Sequence, residues 1–300
     1  MNLLPSQIYR QQADAGLIQD DPAQRAVVAL LDAMATALRH GHGSGLFGIR
    51  FGKPKAVKGL YLWGSVGRGK TLMTELFIEA LSGIPFQRWH FHRFMNDVHR
   101  QLAAMPDTAD TLAVLAKRIA AECRLLVLDE FFVSDIGDAM ILHRLLDQLV
   151  AHGVSFVSTS NVAPDELYPN GLQRASFLPC IALIKRECTV VELLGAQDYR
   201  LRTLRHAATY LVPPSMENEA LLVRQYQSLS GQKPAADQIE INDRCIPAKA
   251  ISAGVAWFEF RALCEGPRSA ADYIEIARDF HTLMLSGVPR FDAGNEEAAR

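Results

Sequence analysis

The chain has 300 residues, of which 49% are hydrophobic and 21% charged, with 31 basic against 33 acidic side chains and a net charge of −2. These values exclude a disordered or globally basic chain and confine any polyanion site to a local patch. No run approaches the roughly 20 apolar residues that span a bilayer, and five scattered cysteines without Cys-x-x-Cys spacing suit a reducing compartment. A cytoplasmic protein is expected.

In chain order, Asp21-Pro22 opens a helical pattern in which Val27, Leu30, Leu31, Met34 and Leu38 form one apolar stripe ending at Gly41. A glycine- and lysine-bearing stretch, 41–58, then reads as a linker. Short apolar runs follow at Leu60–Trp63, Phe86–Phe91, Leu125–Leu128, Val154–Ser158 and Thr189–Leu193. Helical stretches are expected between them, near 70–82, 93–104, 135–151 and 179–187. Strands joined by helices need crossover connections, which implies an α/β fold with a parallel sheet covered on both faces. Beyond Pro213-Pro214 a helix from Ser215, a hairpin around Asn242-Asp243-Arg244, a strand Val255–Phe260, a helix from Ser269 capped by Asp272 and a strand near Thr282–Leu285 make a smaller α+β module. The expected division is 1–55, helical arm and linker; 56–210, core; 211–300, module.

Gly64-Ser65-Val66-Gly67-Arg68-Gly69-Lys70-Thr71 satisfies G-x-x-x-x-G-K-[ST] between an apolar strand and a helix, the context a phosphate loop requires. Its backbone N–H groups can cradle phosphates, Lys70 can reach the β- and γ-phosphates, and the Thr71 hydroxyl can ligate Mg²⁺. Arg68 can also reach a phosphate, although a solvent-facing side chain is expected there. The run Leu125–Leu128 ends in Asp129-Glu130, an Mg²⁺ ligand and a residue able to polarise the attacking water. Strand 154–158 leads into Thr159, Ser160 and Asn161, whose amide can sense the γ-phosphate or, alternatively, cap the following turn. Arg174 can complete a neighbouring subunit's site or lie on a solvated helix end.

These motifs together resemble AAA+ three-layer P-loop NTPases. Four stretches, Gly59–Thr71, His90–Met95, Leu128–Leu142 and Thr159–Arg174, are similar to one family, the ZapE-type cell-division ATPases, which includes the mitochondrial lactation-elevated ATPases. The resemblance implies an Mg²⁺-dependent ATPase at the division site that remodels a protein partner, FtsZ polymers of the division ring, and works as a homo-oligomer. It implies nucleotide contacts from Gly64 through Thr71, Mg²⁺ and hydrolysis at Asp129 and Glu130, and a sensor at Asn161. It also implies a further closing segment after Arg300, so no lid arginine is assigned.

Three other features have bland readings beside sharper ones. His90 and His92 on one strand face can hold a metal or simply pack. Arg200, Arg202 and Arg205 can contact nucleic acid or nucleotide, or form a solvated face; nucleic acid is the less favoured partner. Trp63 beside the phosphate loop is expected to pack in the core. An ATP-controlled loader or nucleic-acid switch and a quality-control ATPase remain alternatives to the polymer remodeller.

Overall fold

The computed structural model describes residues 3–40, 55–65, 67–105, 110–194, 210–241, 244–252, 254–266, 268–280 and 282–291. It divides into two compact units, residues 1–198 and 199–300. Val66, the Arg200, Arg202 and Arg205 cluster, the Asn242-Asp243 turn and the final segment from 292 lie outside the described residues.

In the first unit, β1 (Gly59–Trp63), β2 (Phe86–His90), β3 (Leu125–Asp129), β4 (Ser155–Ser160) and β5 (Cys188–Glu192) form one sheet in the order β2-β3-β4-β1-β5, all pairs parallel. Side chains alternate between the two faces of a strand, and each face here has its own core. Leu60, Leu62, Leu125, Val127 and Val157 point into a core with α1 (Pro5–Asp14), α2 (Pro22–His40) and α3 (Lys70–Ala80). Tyr61, Leu126, Leu128 and Phe156 point into the other, with α4 (Phe91–Ala103), α5 (Thr111–Glu122), α6 (Ile136–Ala151) and α7 (Arg174–Glu187). The result is the expected three-layer α/β architecture.

Covering both faces explains why the strands read as continuous apolar runs; β3 and β4 are buried at every position. It also gives the N-terminal helices a place. Helix α2 buries Val27, Val28, Leu31, Met34, Ala35 and Leu38, so the helices of the expected arm share with α3 the cover of one face. Helix α7 begins at Arg174, five residues before the expected start, because Pro179 is tolerated inside it. The proline withdraws one backbone hydrogen bond and stops none of the packing by Phe177, Cys180, Ile181 and Ile184.

The second unit contains α8 (Met216–Ser230), the antiparallel pair β6 (Asp237–Ile241) and β7 (Arg244–Ala248), and a three-stranded sheet ordered β10-β9-β8 from β8 (Ala250–Ser252), β9 (Val255–Glu259) and β10 (Thr282–Ser286). Short α9 (Phe260–Cys264) and α10 (Ala270–Asp279) complete it. Ser215 caps α8 through its hydroxyl, and Ser269 with Asp272 forms the capping box expected for α10. Among the described residues no helix is long and apolar enough to cross a membrane.

Candidate functional site

Parallel strands end together, so β1, β3 and β4, which are adjacent in the sheet, deliver their carboxyl ends to one place. The loop after β1 turns through Gly64, Gly67 and Gly69 at φ of +149°, +80° and +90°, values open to glycine and strained for other residues. At Gly64 a Cβ would also lie 2.8 Å from the Leu193 carbonyl oxygen. Gly69 is the N-cap of α3 and offers no side-chain cap, so the amides of the helix's first turn are presented to another acceptor. A phosphate fits that cradle.

Lys70, the first residue of α3, donates from Nζ to Gly64 O at 2.6 Å, Ser65 O at 2.9 Å and Asn161 Oδ1 at 3.0 Å. The lysine of the loop and the asparagine after β4 are thus in direct contact. Thr71, next on α3, stands beside them, and its carbonyl accepts from the Thr74 hydroxyl. Arg68 is half-buried rather than solvent-facing, and its carbonyl accepts a hydrogen bond from Gln24 at 3.2 Å. Trp63 packs against the core as expected.

The acidic strand is fastened to β4 by side chains the motifs did not single out. Thr159 donates through Oγ1 to Asp129 Oδ1 at 3.2 Å and accepts at the same oxygen from the Glu130 N–H at 3.1 Å. The Phe131 N–H donates to Thr159 O, and Ser160 donates to Phe131 O, both within 2.8 Å. These bonds hold Glu130 at φ +55°, a left-handed conformation that costs a non-glycine residue about 1–2 kcal/mol. Strain of this kind directly after the acidic strand fits a residue whose direction matters more than its comfort.

Asp129 is 4% exposed, and an ion pair compensates its charge. Arg88 on β2 donates from Nε to Asp129 Oδ2 at 2.6 Å, with Glu75 Oε1 3.9 Å from its other side. Burial pushes the Glu75 carboxyl above its ordinary range, and Arg88 opposes the shift. Each Asp129 oxygen keeps a lone pair beyond the bond it accepts, so the carboxylate has capacity left for a hard cation. Among the described residues no cluster of three His, Cys, Asp or Glu could hold a metal by itself.

One further expectation changes. His92 lies in α4, not on the strand with His90, so the two imidazoles do not share a strand face; His92 Nε2 instead meets Asn96 Nδ2 at 3.1 Å. Arg174 is tied locally, donating to Tyr168 O at 3.1 Å and Asp165 O at 2.8 Å. The motifs missed Arg88, Thr159 as a bridge, and Gln24. Only Thr159 left a local trace, as part of a polar end to a buried strand.

A family model described as AFG1-like ATPase matches residues 3–300. The chain is 41% identical over 313 aligned residues to the Cell division protein ZapE of Escherichia coli K12, covering 100% of this chain and 84% of that protein. It is 35% identical over 263 residues to Lactation elevated protein 1 homolog B of Danio rerio, covering 83% of this chain and 52% of that one. Among solved structures, the crystal structure of the DnaI is similar with a TM-score of 0.41 at 17% identity, over 60% of this chain and 86% of that chain, too remote to bear on function.

Proposed function

The chain belongs to the AFG1-like ATPase family and is an ATPase, and from that premise we propose that it hydrolyses Mg²⁺-ATP at this loop and couples hydrolysis to remodelling a protein partner in cell division. The observation that carries the reading is the Lys70–Asn161 contact beside the Thr159-held pair Asp129 and Glu130, on three adjacent strand ends.

Each residue then has one task. Gly64 through Thr71, with Val66 and Arg68 among them, bind the phosphates, and Lys70 moves its ammonium from the loop carbonyls to the β- and γ-phosphate oxygens. Thr71 and Asp129 would hold Mg²⁺, whose chemistry when bound is to neutralise phosphate charge. Glu130 takes a proton from the attacking water, which places hydroxide character opposite the leaving ADP oxygen. Asn161, already on Lys70, orients the γ-phosphate or that water. Arg174 completing the site of a second copy requires release of its two carbonyl bonds.

FtsZ of the division ring is the proposed partner, supported by the motif resemblance and by the 41% identity to a cell division protein. ATP-dependent co-sedimentation with FtsZ polymers, run beside single-stranded DNA binding, tests it. A shift in FtsZ sedimentation only with ATP supports the reading; ATP-dependent DNA binding without an FtsZ effect overturns it in favour of a loader-type switch. Mixing Glu130→Gln with Arg174→Ala subunits should restore hydrolysis if Arg174 acts between copies.

A further inference from the structure

A buried polar side chain outside the motifs touches the phosphate loop. Gln24 on α2 is 3% exposed, so both ends of its amide need partners. Its Nε2 donates to the Arg68 carbonyl at 3.2 Å, and its Oε1 accepts from the Tyr9 hydroxyl at 3.2 Å. Tyr9, itself 3% exposed, accepts at the same hydroxyl from the Asp21 N–H at 2.8 Å, just before α2 begins. A relay therefore runs from α1 through the start of α2 to the loop.

Peptide geometry gives the contact a direction. In a trans peptide the C=O of one residue and the N–H of the next point to opposite sides. Holding the Arg68 carbonyl outward against α2 aims the Gly69 N–H the other way, into the cradle. The same amide constrains Gly69 directly, since a Cβ there would lie 2.7 Å from Gln24 Nε2. From this we infer that Gln24 is a positioning residue of the nucleotide site: it fixes the Arg68–Gly69 peptide so that the Gly69 N–H is preset for phosphate. The N-terminal helices are thereby part of the ATP site. The inference rests on the phosphate-loop reading of Gly64 through Thr71.

The test measures the dissociation constant of a fluorescent ADP analogue, and of ATP by displacement, on the full chain with Mg²⁺, together with thermal midpoints. Gln24→Met keeps length and removes both hydrogen bonds; Gln24→Glu keeps shape but turns an oxygen toward the Arg68 carbonyl, so either serves if the other misfolds. About tenfold weaker binding is expected, the size of one well-placed hydrogen bond. Leu31→Ala, on α2 but in the apolar core at 1% exposure, should lower the thermal midpoint more while changing the dissociation constant less than about twofold. Unchanged affinity in the Gln24 variants, or an equal loss in Leu31→Ala, overturns the inference. If Lys70→Ala binds as tightly as the unaltered chain, the phosphate-loop reading itself has failed; if Lys70→Ala loses binding and the Gln24 variants do not, only the positioning role has.

Discussion

Both units bury polar groups, and they do so in different ways. In the second, each buried polar side chain closes a local structural need: Asp272 accepts from the Ser269 N–H at 2.7 Å and pairs with Arg244 at 3.2 Å, and Ser286 accepts from the Trp257 indole at 2.6 Å. In the first, Asp129, Thr159 and Ser160 lie at the carboxyl ends of β3 and β4 and tie those ends together, and Gln24 ties α2 to the glycine loop. Buried polar groups generally need partners; what sets the first unit apart is that several lie at the strand ends next to the glycine loop, where Lys70 meets Asn161.

The largest effect that would break this contrast is on hydrolysis. Lys70→Ala should lower the rate by about 10²-fold or more, since it removes the cation that follows charge onto the phosphates. Glu130→Gln should cost a similar factor and leave nucleotide affinity near that of the unaltered chain, as steady-state rates and equilibrium binding would show. Glu130→Gly adds a sharper test, because glycine adopts φ +55° freely. It should lose hydrolysis to the same extent without a lower thermal midpoint. A clear drop in its stability would mean that the left-handed turn is supported by the Glu130 side chain itself.

Next in size is the Arg88–Asp129 pair. Arg88→Met strands a carboxylate that is 6% exposed and should cost about 3 kcal/mol by denaturant titration, the low end of the range for buried pairs because the arginine side chain is 23% exposed. Double substitution with Asp129→Asn should recover much of that loss. Asp272→Ala in the second unit should cost about 1–2 kcal/mol, the value of a helix cap. Hydrogen exchange should place that loss in residues 210–291, with β3 and β4 still protected; loss of protection in β3 would mean the units unfold as one.

What was legible beforehand follows the same division between local and remote. The five strands of the first unit and the loop Gly64–Thr71 carry their signals within a few residues, as apolar runs and a fixed glycine spacing, and they lie where expected. Helix α5 carries Leu112, Leu115, Ala116 and Ile119 on one face and the cap Asp110, yet its 12 residues make a short Ala-rich stretch with a weak local signal. Helix α1 is polar outside Ile8 and Tyr9 and showed no stripe. At the site, Lys70, Asp129, Glu130 and Asn161 were visible as motif residues. Gln24 and Arg88 were not, since each matters through a partner 44 or 41 residues away, a pairing that exists only once sheet order and helix cover are fixed.

The smallest effects concern the cysteines, and they compare the units in a single reaction. Cys123, Cys180 and Cys188 are buried in the first unit, whereas Cys245 is exposed and Cys264 half-buried in the second. Burial pushes the Cys123 thiol up to about 11, Cys180 to about 12 and Cys188 well above its ordinary value, each away from the thiolate that reacts. With a disulfide reagent at pH 8, Cys245 should label first and Cys264 more slowly, while the three buried thiols wait for the first unit to open. The stability consequence has a definite sign. A thiol whose pKa is raised on folding contributes stability that is complete below the unfolded value near 9 and is lost as pH climbs toward the folded value, at about 1.4 kcal/mol per pH unit for each group. Three buried thiols of this kind lie in the first unit, whereas Cys264 in the second is half-buried, so solvent screens its contribution. Between pH 9 and 11 the first unit should therefore weaken more steeply, and equal slopes for labelling of Cys123 and Cys264 would show that the two units open together.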